Sequence, residues 1–520
     1  MTGTGGENPG TRGPAGSGDP ARGRGGDRGL GRSVGRTMLV AVLAVAVLAA
    51  GATWWQVVDA ARLAGSSDDA ANVAAARTVV RGIIRDRDGR VLAASRRDEN
   101  GEPYRVYASD STTGVVGYAS RRYGSAGLER TFDAELTGRR DPDPIQDILD
   151  HLDPSRRQRG NDLRTSLSLP LQKLAVSLLG KDKGAIVMLD PRTGEVLVDA
   201  STPTYDANVI ADPAGDPAYF AALRTDPSSP LLPRSTLGLY VPGSVFKIVT
   251  AIAALGSGAI TPQTTYAKQP PAEKTGLLVD GYRVRDGHHD FTQPKPLALA
   301  EATEVSCNIF YALAGLATGG AELTAWAASL GFGASIPYDL PTETSQVTGG
   351  TGQDPGGFAD RVELANASYG QAQVLVTPIQ MALVAAAVAN DGTIMRPRVV
   401  TAVVSPDGTV TERPAEVWLK PFGADVARPI REAMTLAVEG QYGRLFTSGA
   451  KVPGVLTAGK SGTAELGGSG EPHSWFIGFA PADHPTIAIA VVVENGGSGA
   501  SRASPIAGRL MAAYFAQAAQ

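Results

Sequence analysis

Eleven consecutive residues, Val245 to Leu255, carry one charge between them, that of Lys247. Pro242-Gly243 breaks the chain just before this run and Gly256 stops it. A helix apolar on nearly every face belongs in an interior, so the chain must build a core large enough to surround it. Ser244 heads the run, where free backbone N–H groups and the positive end of the helix dipole favour a developing anion. Lys247 follows one turn later, at i+3, so the two side chains share a face. A lysine in a buried helix is costly unless paired or given work, and burial lowers its pKa towards the range of a useful base. The same two residues would also suit a capping serine beside a lysine that reaches for solvent. The rest of the chain separates these readings.

Two further short motifs follow in order. The set reads Ser244-Val245-Phe246-Lys247, Ser306-Cys307-Asn308 and Lys460-Ser461-Gly462-Thr463. Each alone is weak, since Ser448–Lys451 repeats the first spacing and Lys274-Thr275-Gly276 resembles the third. Ser448 is followed by Gly449 with no apolar helix to hold the pair together. Lys274 precedes the Ser-x-Asn and follows Gln269-Pro270-Pro271, a stretch expected to be loop-like. Together the ordered triple resembles the active-site signature of the penicillin-binding proteins and serine β-lactamases.

The resemblance to class B penicillin-binding proteins runs from about Val79 to the C-terminus. Gly370-Gln371 followed by Thr377-Pro378-Ile379-Gln380-Met381-Ala382, and Trp475-Phe476 with Gly478-Phe479-Ala480-Pro481, are similar to stretches of that family. Arg81 to Asp86 and Gly127-Leu128-Glu129 resemble its N-terminal pedestal. The resemblance implies a D,D-transpeptidase in which Ser244 attacks a D-alanyl-D-alanine stem peptide and Lys247 takes its proton. It implies that Ser306 relays a proton to the leaving amine and that Lys460 supplies positive charge. Asn308, Ser461, Gly462 and Thr463 would bind substrate, and the N–H groups of Ser244 and Thr463 would form an oxyanion hole. No cofactor and no metal are expected. β-Lactam antibiotics are implied as covalent ligands and a membrane glycan polymerase of the RodA or FtsW type as partner. A D,D-carboxypeptidase or β-lactamase on the same fold carries the same motifs, and a non-enzymatic sensor or scaffold is the remaining alternative.

The net charge of −4 gives no nucleic-acid footprint. Residues 1–36 hold six Arg against three acids, so that tail is +3 and the remainder −7. The tail is Gly-, Pro- and Arg-rich and is expected to be disordered and cytoplasmic. Residues 37–58 carry no charge. As a helix they would span about 30 Å, enough for one crossing, and Arg32 and Arg36 place the tail inside and the bulk outside. Cys307 is the sole cysteine, so no intrachain disulfide can form, and it reads as a buried filler. His288-His289-Asp290 lacks the further ligands a metal site needs.

Residues 59–160 are polar and read as a small mixed pedestal, with a hairpin of Val79–Ile84 and Val91–Ala93 turning at Asp88-Gly89. From 161 to 520 the expected architecture is α+β, a central antiparallel sheet packed by helices. Hairpins are expected at Pro191–Gly194 and Ala482–Pro485. A helix capped by Thr377, with Pro378 first and Gln380 completing a capping box, should end at Asn390-Asp391-Gly392. A closing helix should start at Ser504-Pro505.

Overall fold

The structure is a computed structural model that describes residues 79–138, 159–286, 295–350, 352, 356–467 and 470–518. The expected tail (1–36), the expected membrane helix (37–58) and the His288-His289-Asp290 stretch lie outside the described residues. Among the described residues no helix is long and apolar enough to cross a membrane.

Five strands build the central sheet: β1 (Gly184–Leu189), β2 (Val196–Thr202), β3 (Ala458–Ala464), β4 (His473–Ala480) and β5 (Ile487–Val493). Their spatial order is β3-β4-β5-β1-β2, antiparallel throughout. An antiparallel sheet commonly leaves one face to water. Here both faces are covered, and every residue of β5 is buried. Alternate residues serve two cores, as the two-residue period of a strand requires. Val187, Trp475, Ile477, Ala490 and Val492 face one. Ile186, Met188, Phe476, Ile489 and Val491 face the other, with Ile506, Leu510 and Met511.

The helices that matter are α1 (Lys247–Gly256), α2 (Asn308–Thr318), α3 (Pro378–Ala389), α4 (Ala424–Glu439) and α5 (Ala503–Ala518). Helix α5 covers one face of the sheet; α3 crosses the other over β5, β4 and β1, and α4 packs on β3. The hairpins expected at Pro191–Gly194 and Ala482–Pro485, the α3 helix and the closing helix are present. The α3 capping box is only half formed. Thr377 Oγ1 accepts from Gln380 N at 3.2 Å, but the Gln380 side chain donates to Leu330 O at 2.9 Å instead of reaching back. The Thr377 N–H that the box would have used donates to Ser345 Oγ at 3.0 Å instead, so both the buried amide and the buried carbonyl are satisfied.

The N-terminal hairpin differs from expectation. Only Ile84–Arg85 pairs with Val91–Arg97, with a register shift between the two residues. Val80 bridges Arg159 instead, and Gly82 N donates to Leu136 O at 2.9 Å. This sheet has six strands, ordered Val410–Glu412, Val400–Val404, Asp162–Thr165, Ile84–Arg85, Val91–Arg97, Pro103–Tyr107. Two of them come from beyond residue 399, so the sheet crosses the 160/161 boundary expected between pedestal and catalytic domain. Beneath it Glu129 is fully buried and receives Arg81 at 2.8 Å and Arg105 at 2.6 Å. Burial alone would raise the Glu129 carboxyl, but Arg105 and Arg81 hold it below its ordinary value.

Candidate active site

Helix α1 is the buried helix the sequence demands, with Lys247 to Ala254 all buried. Its entry differs in one respect. Ser244 sits in a 3₁₀ turn, Gly243–Phe246, and the α-helix starts at Lys247. In a 3₁₀ turn residues i and i+3 eclipse, which aligns Ser244 and Lys247 more closely than an α-turn would. Gly243 makes the turn possible. Its φ is +56°, and a Cβ there would lie 2.6 Å from Thr463 O. The turn is tied from two sides: Gly243 N donates to Gly370 O at 2.9 Å, and Trp475 Nε1 donates to Val241 O at 3.0 Å.

Ser306 lies between the helix Leu299–Glu304 and α2, in the left-handed region with φ +61°. That turn directs both its carbonyl and its hydroxyl at one amine. Lys247 Nζ lies 2.6 Å from Ser306 O, 3.1 Å from Ser306 Oγ and 2.7 Å from Asn308 Oδ1. Lys460 Nζ reaches the same hydroxyl from the other side, 2.8 Å from Ser306 Oγ and 2.9 Å from Ser461 O. Lys247 and Lys460 are each about 1% exposed or less. Burial lowers Lys247 to about 8, against the pull of Asp286. Burial and then the neighbouring Lys247 push Lys460 well below its ordinary value. The family resemblance gives Lys460 the role of supplying positive charge, and its burial beside Lys247 works against that charge.

Lys460, Ser461, Gly462 and Thr463 lie on β3, the edge strand of the sheet, whose outer row of backbone groups has no strand to pair with. Ser244, Ser306, Asn308, Ser461 and Thr463 all line one cleft of about 1470 Å³. The two decoy motifs lie apart from it. Lys274 is exposed, and its segment is a short helix, Gln269–Thr275, rather than a loop. Proline is tolerated in a first turn, where its missing N–H costs no bond. Lys451 pairs with Glu439 at 2.5 Å.

Sequence reasoning missed Asp286. Its carboxylate accepts from Asn308 N at 2.9 Å and Ile309 N at 3.2 Å, fixing the start of α2, while Asn308 Nδ2 donates to Arg285 O at 3.1 Å. An aspartate 22 residues from Asn308 carries no local signal of that role. Cys307 is buried, as expected, and its sulfur accepts from Phe310 N at 3.3 Å. Burial, Asp286 and Glu273 push its thiol up, so it is no nucleophile. Glu273, Asp286 and Cys307 bring ligand-capable atoms within 4.8 Å of one another, with Asp286 already engaged by two N–H groups.

Residues 184–512 match the penicillin binding protein transpeptidase domain, and residues 81–163 the penicillin binding protein A dimerisation domain. The chain belongs to the penicillin-binding protein transpeptidase family. Among its relatives is the peptidoglycan D,D-transpeptidase PbpA of Mycolicibacterium smegmatis, 34% identical over 448 residues, 82% of this chain and 87% of that one. The peptidoglycan D,D-transpeptidase MrdA of Acinetobacter baumannii is 30% identical over 77% of this chain and 61% of its own. Among solved structures, penicillin-binding protein A of M. tuberculosis as an imipenem acyl-enzyme superposes with a TM-score of 0.74 at 31% identity, covering 85% of this chain and all of that one. In this penicillin-binding protein the three family motifs thus meet in one cleft, with Ser306 Oγ as the atom that Lys247 and Lys460 both contact.

Proposed function

We infer that this protein is a peptidoglycan D,D-transpeptidase that cross-links stem peptides through an acyl-enzyme on Ser244. The observation that carries the reading is the Ser306 hydroxyl held between two buried amines, 3.1 Å from Lys247 and 2.8 Å from Lys460, in a cleft that Ser244 also lines. Two lysines this close share protons rather than hold one each. When the substrate carboxylate binds at Ser461 and Thr463, its charge favours the proton on Lys460. Lys247 is then neutral and takes the Ser244 proton as the hydroxyl attacks the D-alanyl carbonyl. The N–H groups of Ser244 and Thr463 receive the oxyanion; one such donor is typically worth about 3–4 kcal/mol. The tetrahedral intermediate collapses, the C–N bond breaks, and the proton passes through Ser306 to the departing D-alanine amine. An amine from a neighbouring stem peptide then attacks the ester, loses its proton to the same relay, and returns Ser244 to its hydroxyl form. Asn308 holds the substrate amide.

Anchoring belongs to the same proposal. The uncharged stretch 37–58 behind Arg32 and Arg36 makes a single-pass anchor, with residues 1–36 cytoplasmic and the pedestal (59–160) and catalytic domain (161–520) outside. A glycan polymerase of the RodA or FtsW type is the partner this arrangement serves. The test is intact mass spectrometry of the full-length protein after benzylpenicillin, with peptide mapping. One adduct on the Ser244 peptide is expected, and none in Ser244→Ala. Covalent labelling that survives Ser244→Ala overturns the reading.

A further inference from the structure

The chain leaving β5 turns back over the strands that hold the site, and the mechanism gives it no part. Asn495 makes the turn in the left-handed region, with φ +51°, a conformation asparagine tolerates better than most side chains. The loop that follows is tied to three consecutive residues at the start of β4. Asn495 N donates to His473 Nδ1 at 3.1 Å, Gly497 N donates to Pro472 O at 3.1 Å, and Ser474 Oγ donates to Ser498 O at 2.8 Å. Gly499 then sits against Gly462 and Trp475, a paired couple of β3 and β4. A Cβ on Gly499 would lie 2.6 Å from the carbonyl oxygen of each. From that seat Gly499 N donates to Thr463 Oγ1 at 3.3 Å.

That last bond decides what the Thr463 hydroxyl can do. A hydroxyl has one proton to give and lone pairs to receive. With Gly499 N–H on a lone pair, the proton is left to be donated into the cleft that Thr463 lines. The substrate carboxylate placed there in the reaction above needs such a donor. Of the ties that hold the loop, the one to His473 can titrate. A backbone N–H only donates, so Nδ1 must carry a lone pair, as it does in a neutral imidazole with its proton on Nε2. Charging the ring puts a proton on Nδ1 and sets two donors against each other. Glu494 and Lys183, which pair at 3.4 Å, face the ring. Tyr240 packs edge-on against it at 5.5 Å and donates to Glu494 at 2.9 Å, and Arg234 holds Glu494 at 2.7 Å. On the loop side, Glu471 reaches to 3.9 Å from where a Cβ on Gly497 would lie. Burial lowers the His473 imidazole, Glu494 opposes that and Lys183 adds to it. The ring is therefore neutral at neutral pH and gains its charge below the ordinary histidine value of about 6.5.

We propose that His473 is a positioning residue for the substrate carboxylate: its uncharged Nδ1 pins the loop Asn495–Ser501 to β4, and the pinned loop, through Gly499 N, turns the Thr463 hydroxyl towards the cleft. Acid releases the pin. Once the ring is charged the Asn495 bond is lost, the loop loosens, and Thr463 is free to turn its proton elsewhere. The role rests on the transpeptidase reading above, which puts a carboxylate at Thr463, and adds a pH-sensitive support to that site.

Hydrogen–deuterium exchange on the full-length protein reads the loop. Benzylpenicillin acylation, split into half-saturating concentration and maximal rate, reads the site. In wild-type protein, peptides covering Asn495–Ser501 should exchange about tenfold faster at about pH 5 than at about pH 7.5, corrected for intrinsic rates, while β5 stays protected. His473→Leu should show the fast loop at both pH values. At neutral pH it should raise the half-saturating concentration about three- to tenfold, the worth of one hydrogen bond, with the maximal rate within about twofold. His473→Asn loses the same ring but offers Oδ1 in place of Nδ1. It should restore the slow loop, now at either pH, and the wild-type half-saturation. A wild-type loop whose exchange ignores pH overturns the proposal. So does a His473→Leu protein that saturates like wild type, or a loss that His473→Asn does not rescue. Should His473→Leu not fold, the wild-type pH response and its absence in His473→Asn decide alone. A pH-sensitive loop with no penicillin adduct in any of the proteins brings down the transpeptidase reading, and the carboxylate role with it.

Discussion

Lys247 and Lys460 both touch Ser306 Oγ, and the proton count of that pair decides whether the site works. With two protons neither amine can act as base. With none, nothing opposes the substrate carboxylate in a buried corner. One proton is the working number. Burial lowers Lys247 to about 8, and burial together with the neighbouring Lys247 lowers Lys460 well below its ordinary value. The second-order rate of benzylpenicillin acylation should therefore be bell-shaped in pH. It should fall as pH rises through about 8, where the last proton leaves, and fall again on the acid side as the second proton arrives. A stopped-flow pH series on the free enzyme measures this, and a rate that keeps climbing past pH 9 contradicts the shared-proton account. Lys460→Gln leaves Lys247 alone, which acts as base only when neutral, so the alkaline limb should disappear, the acid limb should remain, and the overall rate should drop sharply.

Elements place these atoms, and Gly243 shows how little slack they have. A methyl at that position meets Thr463 O at 2.6 Å and adopts a φ of +56° that side chains resist. Gly243→Ala must push the Ser244 turn away from β3, the strand edge that would supply half of the oxyanion hole in the proposed mechanism. A displacement near 1 Å costs on the order of a hundredfold in rate. Benzylpenicillin acylation should fall by about that factor while thermal unfolding still shows one cooperative transition; a change under fivefold would mean the turn and β3 are not coupled. What could be read from the chain alone follows the same line between local and distant causes. The β1–β2 and β4–β5 hairpins and the α3 cap at Thr377 are local chemistry and were legible. The 3₁₀ entry to α1 was not, because it answers to Thr463 and Gly370, far along the chain. Nor was the helix under Lys274, where Pro270 and Pro271 read as breakers although a first turn accepts them. Ser244, Lys247, Ser306, Asn308 and Lys460 were named from spacing and a family resemblance. The lowering of Lys247 was legible from its buried helix, whereas Asp286 follows only from the tertiary approach of its carboxylate to Asn308 N and Ile309 N, and the lowering of Lys460 only from its burial beside Lys247.

At the scale of the molecule, the two family-matched regions are joined by backbone rather than merely adjacent. Val400–Val404 pairs with Asp162–Thr165, and Ile84–Arg85 pairs with the other side of that strand. Ser166 N adds a bond to Val399 O at 2.8 Å. Asp339 accepts from Val399 N and Val400 N at 2.7 and 2.8 Å, and Arg413 pairs with Asp339 at 2.8 Å. The strand that ends one region is therefore a middle strand of a sheet built by both. Removing residues 59–160 would strip Asp162–Thr165 of a neighbour and expose a strand edge ready to pair with another chain. It would also uncover Leu163, which is fully buried, at about 1.5–3 kcal/mol. The deletion should leave the Ser244 motifs intact in sequence yet yield a protein that unfolds several degrees lower and self-associates. Differential scanning calorimetry and light scattering against the full-length chain test this. A monodisperse deletion variant with an unchanged Tm and stoichiometric benzylpenicillin binding would show that the shared sheet contributes nothing to holding the transpeptidase fold.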